Sequence, residues 1–109
     1  MNLNDMTKDE KSLLLYLETR AVDHGGLVHT QHMNSDDMEI AKQWNEARFV
    51  RFGRLASDCL PMRSGATHWC ELSDEAWALA HAERRERYTR INSKRKWFTI
   101  DDKRAERQQ

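Results

Sequence analysis

Between Met38 and Leu55 the chain reads MEIAKQWNEARFVRFGRL, and its hydrophobic period changes without a break. Ile40, Ala41 and Trp44 recur at helical spacing, whereas Phe49, Val50 and Phe52 crowd into a run that suits a strand. A helix ending near Ala47 must therefore feed directly into a strand, expected from Arg48 to Leu55. After a loop that holds Cys59, the sole proline Pro61 and Gly65, the run THWCEL from Thr67 to Leu72 can return antiparallel and close a hairpin. The rest of the chain has to pack around this helix and hairpin, which fixes an α+β class.

With 109 residues there is room for one modest core. Charged residues make up 33% and hydrophobic ones 39%, so the four tryptophans are expected to carry much of the buried volume. No apolar run approaches the roughly 20 residues that span a bilayer, and MNLNDMTKDE lacks a signal-like apolar segment, so a cytoplasmic protein without membrane contact is expected. In that setting Cys59 and Cys70 read as free thiols, although the hairpin could bring them close. The formal charge of zero conceals two unlike halves: residues 1–47 hold four Lys or Arg against nine Asp or Glu, and residues 48–109 hold fourteen against nine. Such polarity suits separate partners for each half, or head-to-tail self-association.

Taken in order, Thr7 and Glu10 form a capping box that starts a helix, Leu13, Leu14, Leu17 and Ala21 supply its apolar face, and Gly25-Gly26 ends it. Leu27-Val28-His29 is β-prone and too short for a helix, and so fits a third, minor strand. Thr30 to Met33 leaves space for one turn. Asn34 or Ser35 caps the next helix, with Asp36 and Asp37 complementing its dipole. Ser73 caps the last main helix, in which Ala76, Trp77 and Ala80 form an apolar stripe before the sequence turns basic at Arg84. Residues 1–91 are expected to form the domain, and residues 92–109 a charged tail with a short helix after Asp101-Asp102. The expected core is Leu13, Leu14, Leu17, Ile40, Trp44, Val50, Trp69, Leu72, Trp77 and Ala80.

The order helix, short strand, turn, helix, strand, loop, strand, helix over residues 7–91 resembles a winged helix-turn-helix domain. WNEARFVRFGRL looks like the second helix of that motif running into the first wing strand, and THWCELSDEAWALAHAERRER like the second wing strand running into a C-terminal helix. The pattern is similar to small phage and prophage winged-helix proteins of unassigned role. It implies three main helices, a small antiparallel wing and a C-terminal helical extension, in a transcription regulator that contacts DNA. One departure stands out: Val28 to Asn34 leaves only about one turn for the helix that normally precedes the recognition helix.

In such a domain the recognition helix reads base edges in the major groove. Here that helix is acidic, with Asp36, Asp37, Glu39 and Glu46 outweighing Lys42, and only Gln43 and Asn45 suit base contact. Basic charge gathers instead at Arg51, Arg54 and Arg63 around the wing, and at Arg84, Arg85, Arg87, Arg90, Lys94, Arg95 and Lys96 towards the C-terminus. That distribution predicts backbone contact to phosphates with little sequence readout. Trp97, Phe98 and Ile100 place three large apolar groups in a charged tail, which predicts a buried interface and a homodimer. His24, His29 and His32, with His68 beside Cys70, match no zinc spacing, so no metal is expected. Cys59, Cys70, Ser57 and Ser64 are conceivable nucleophiles, but no nucleophile elbow, phosphate loop or HExxH motif accompanies them, so neither an enzyme nor a cofactor is expected. Two functions remain: a small DNA-binding regulator that uses the wing and the basic helix, or a protein-interaction module whose acidic helix is the contact surface. A basic patch beside the wing favours the first, and an acidic or apolar exposed face on residues 35–47 favours the second.

Overall fold

The computed structural model describes residues 2–56 and 65–93. It has an α+β fold with three helices, α1 (Lys8–His24), α2 (Ser35–Glu46) and α3 (Asp74–Ser93), and three strands, β1 (Leu27–Val28), β2 (Val50–Arg54) and β3 (His68–Leu72). The strands form one antiparallel sheet in the order β1-β3-β2, an arrangement compatible with a winged helix. The hairpin pairs Val50 with Leu72 and Arg54 with His68, and Leu27-Val28 adds the third strand against Trp69 and His68.

Local chemistry sets the helix ends. Thr7 Oγ1 accepts from the Glu10 amide at 3.1 Å while Glu10 Oε1 accepts from the Thr7 amide at 2.8 Å, which completes the capping box of α1. Gly25 and Gly26 then adopt positive φ values of 62° and 89°, and the chain reverses so that Gly26 lies against the Cys70 backbone of β3. Asn34 and Asp37 make the equivalent reciprocal pair at the start of α2. Between Val28 and Asn34 there is only a single 3-10 turn, Thr30–His32.

At the far end of α2 the strand begins later than the sequence pattern predicts, at Val50. Arg48 takes a left-handed φ of 63°, its amide donates to Asn45 O at 3.2 Å, and the Phe49 amide donates to Trp44 O at 3.0 Å. This pair of bonds is a Schellman ending, and its usual apolar clasp is present as an edge-to-face contact of Trp44 and Phe49 with centroids 5.2 Å apart. Trp44 is accordingly a core residue.

Cross-strand register puts Val28, Val50, Cys70 and Leu72 on the face of the sheet that meets the helices, where they join Leu13, Leu14, Leu17, Ala41, Trp44, Phe49, Ala76 and Ala80. Three expected core residues lie further out. Ile40 is half-buried at the margin. Trp69 is on the opposite face of the sheet, laid over Gly53, where a Cβ would come within 2.9 Å of the indole nitrogen. Trp77 is 38% exposed, because α3 turns Ala76 and Ala80 inward and the neighbouring residue falls about 100° around the helix. Among the described residues no helix is long and apolar enough to cross a membrane.

Candidate functional site

The helix-to-strand joint creates a shallow groove of about 490 Å³ between α2 and β2, lined by residues that include Met38, Glu39, Lys42, Phe52, Arg54 and His68. β2 is one of the two edge strands of the sheet, and Asn45 blunts that edge: its Oδ1 accepts from the Phe52 amide at 3.0 Å. Asn45 is thereby a positioning residue that ties α2 to β2. Phe52 stacks on His68 at 5.2 Å between ring centroids, which makes an aromatic floor. His68 also shares a 2.9 Å hydrogen bond with Thr67 Oγ1. Burial, with help from the Arg54 guanidinium, lowers the pKa of His68 and favours the neutral ring. Above the groove, the solvent side of α2 presents Asp36, Glu39 and Glu46 with Lys42 and Gln43, and the Gln43 amide reaches Glu39 at 3.5 Å.

The basic residues do not assemble into one free patch. Arg51 pairs with Glu71 at 3.5 Å and lies 5.9 Å from the centre of the Trp69 ring. Arg84 is bound to Glu18 and also donates to Leu15 O and Thr19 Oγ1. Arg87 meets Glu83 at 2.6 Å and Ser12 at 3.4 Å. Arg90 lies 3.5 Å from both Glu83 and Glu86. Glu83 is only 1% exposed, so the Arg87 and Arg90 guanidiniums are the counter-charges of a buried carboxylate. Arg54 and Arg85 are exposed and have no carboxylate partner among the described residues. Arg63, Lys94, Arg95, Lys96, Trp97, Phe98, Ile100 and Cys59 lie outside the described residues.

The histidines gather only in part. His29 and His32 have ring centroids 6.1 Å apart, and the Tyr16 hydroxyl donates to His29 O at 2.9 Å. Among the described residues no three His, Cys, Asp or Glu side chains converge as a metal site. Cys70 is a free, buried thiol 3.5 Å from Leu17 O, and burial pushes its pKa up to about 11, far from nucleophilic readiness at neutral pH.

Pattern reading of the sequence did not anticipate the groove, because its walls come from two elements and neither Met38 nor Phe52 is distinctive alone. A signal did exist in Asn45, a polar residue facing a strand seven positions ahead that needs its edge amide satisfied. The fold and this groove define a small α+β domain with one acidic helix beside an apolar cleft. Compared with protein-family models, curated proteins and solved structures, the chain matches none.

Proposed function

We propose that this chain is a winged-helix protein-interaction module, with α2 in the place of the recognition helix and β2–β3 as the wing, that holds a partner segment in the α2–β2 groove. The observation that carries this reading is the distribution of charge. The outward side of α2 bears Asp36, Glu39 and Glu46 against Lys42 alone, beside an apolar floor of Met38 and Phe52 whose β2 side carries Arg54, while Arg84, Arg87 and Arg90 are engaged by carboxylates of α1 and α3. A phosphate backbone would be repelled by α2, whereas a short apolar segment flanked by Lys or Arg would meet both an apolar cleft and opposite charge.

The test is a fluorescence-polarisation screen of apolar peptides with Lys-rich flanks, run beside random duplex DNA at two salt concentrations. Peptide binding that weakens at least tenfold in Met38→Glu is the expected result. Duplex binding with a steep salt slope, unchanged by Met38→Glu and lost in Arg54→Ala, would overturn the reading and restore DNA as the partner.

A further inference from the structure

The charges that line the α2–β2 groove do not cancel. Glu39 accepts from the Gln43 amide at 3.5 Å, whereas Lys42 and Arg54 make no ion pair among the described residues. Burial and Arg54 favour the neutral ring of His68. The lining therefore holds two unpaired cations against one carboxylate, although the outward side of α2 as a whole is acidic. Arg54 marks one end of the aromatic floor. Val50, Phe52 and Arg54 alternate onto one face of β2, and the register sets Arg54 directly opposite His68, whose ring stacks on Phe52.

The backbone supplies a second donor at the same place. The Leu55 amide donates across the hairpin to Thr67 O at 2.9 Å, and the Phe52 amide turns the other way, to Asn45 of α2. By the two-residue period of a strand the Arg54 amide also points towards α2, one step past the bond that Asn45 makes. No acceptor among the described residues meets it. An apolar floor that ends at a guanidinium and a spare amide is matched by an apolar side chain whose own backbone ends in a carboxylate.

We propose that the partner segment enters this groove with its C-terminus: the apolar side chain of its last residue rests on Met38 and Phe52, and its carboxylate is taken by the guanidinium and the amide of Arg54. This rests on the reading of the groove as a peptide site and names the part of the partner that fills it. Charge decides between a terminus and an internal segment. An internal apolar stretch with Lys or Arg on both sides sets one flank against Glu39 and the acidic side of α2, but brings the other up to Arg54. A basic stretch that ends in an apolar residue meets both walls, its cations along α2 and its carboxylate at β2.

Fluorescence polarisation with two N-terminally labelled peptides of one sequence, Lys-Lys-Ser-Ala-Leu-Phe, tests this, one ending in a free carboxylate and the other in a carboxamide. The acid is expected to bind at least tenfold more tightly than the amide. Arg54→Gln should bring the acid down to the affinity of the amide and leave the amide itself unchanged; Arg54 is exposed, and circular dichroism checks that the variant is folded. By NMR the Arg54 backbone amide proton should move downfield with the acid and not with the amide. Equal binding of the two peptides, both weakened in Met38→Glu, overturns the carboxylate assignment while the groove stands as a site for an internal segment. A preference for the acid that survives Arg54→Gln and disappears in Lys42→Gln also overturns it, since the anion then sits on α2. Acid-selective binding that ignores Met38→Glu overturns it by placing the carboxylate outside the groove. Binding of neither peptide overturns this proposal and the peptide reading of the groove together.

Discussion

At the level of single residues, the backbone is most exacting where α1 gives way to the sheet. Gly25 and Gly26 both have positive φ, yet their surroundings differ: a Cβ on Gly25 meets nothing within 4 Å, whereas one on Gly26 would lie 2.7 Å from the carbonyl oxygen of Cys70. Gly25→Ala should therefore cost only the left-handed penalty of about 1–2 kcal/mol. Gly26→Ala adds a collision with a backbone that cannot step aside without breaking the 2.8 Å bond from the Cys70 amide to Gly26 O. Its cost should exceed that of Gly25→Ala by at least about 1 kcal/mol in urea unfolding, and equal costs would show that β3 yields. The two glycines were legible in the sequence as a stop, but their inequality was not, because it depends on a strand more than forty residues away.

Among the elements, the contact between α1 and α3 is held by alanines at one end and by arginine side chains at the other. Ala76 and Ala80 are fully buried, while past Glu83 the helix is fastened to α1 by Arg84, through Glu18, and by Arg87, which bonds Ser12 and also neutralises Glu83 on its own helix. Removing Arg87 leaves the Glu83 carboxylate with only the longer contact to Arg90. Because Arg87 is itself more than a third exposed, Arg87→Met should cost about 1–3 kcal/mol rather than the full penalty for an orphaned buried charge. Arg85→Met, with no carboxylate partner among the described residues, should stay within about 0.5 kcal/mol. Equal effects in denaturant unfolding would remove the structural role of the pair. Loss of nucleic-acid binding in Arg84 or Arg87 variants would thus first need a stability control. Helix starts, the hairpin and its third strand could be read from the sequence because Thr7-x-x-Glu10, Asn34-x-x-Asp37 and the period switch are local signals. The destination of the arginines could not, since Glu18 and Arg84 find each other across 66 residues. Trp77 misled for a related reason: its spacing fits the apolar stripe, and only the close approach allowed by Ala76 and Ala80 decides which side turns inward.

For the whole molecule, two side chains in β3 contribute to how stability depends on pH. His68 is held below its ordinary value of 6.5, by burial first and by Arg54 second. The unfolded chain therefore binds this proton more readily than the folded one, and stability should fall as pH drops below about 6.5. Cys70 is shifted upward to about 11 from 9.0, so the folded chain keeps a proton that the unfolded chain releases, and stability should fall again as pH climbs above about 9. Urea midpoints measured from pH 5 to pH 10 should show a plateau between these limits, and His68→Gln should flatten the acid side. An unchanged acid slope in that variant would assign it to other groups. The same sheet also has a bearing on how the chain comes to be folded. Leu27 pairs with Trp69, and Ser12 with Arg87, so the earliest helix, although it also packs on β1 and α2, finds much of its cover in residues after 67. During synthesis the leucines of α1 stay partly wet until β3 and α3 have left the ribosome, so this fold closes late, on strand and helix made long after α1, rather than growing outward from it.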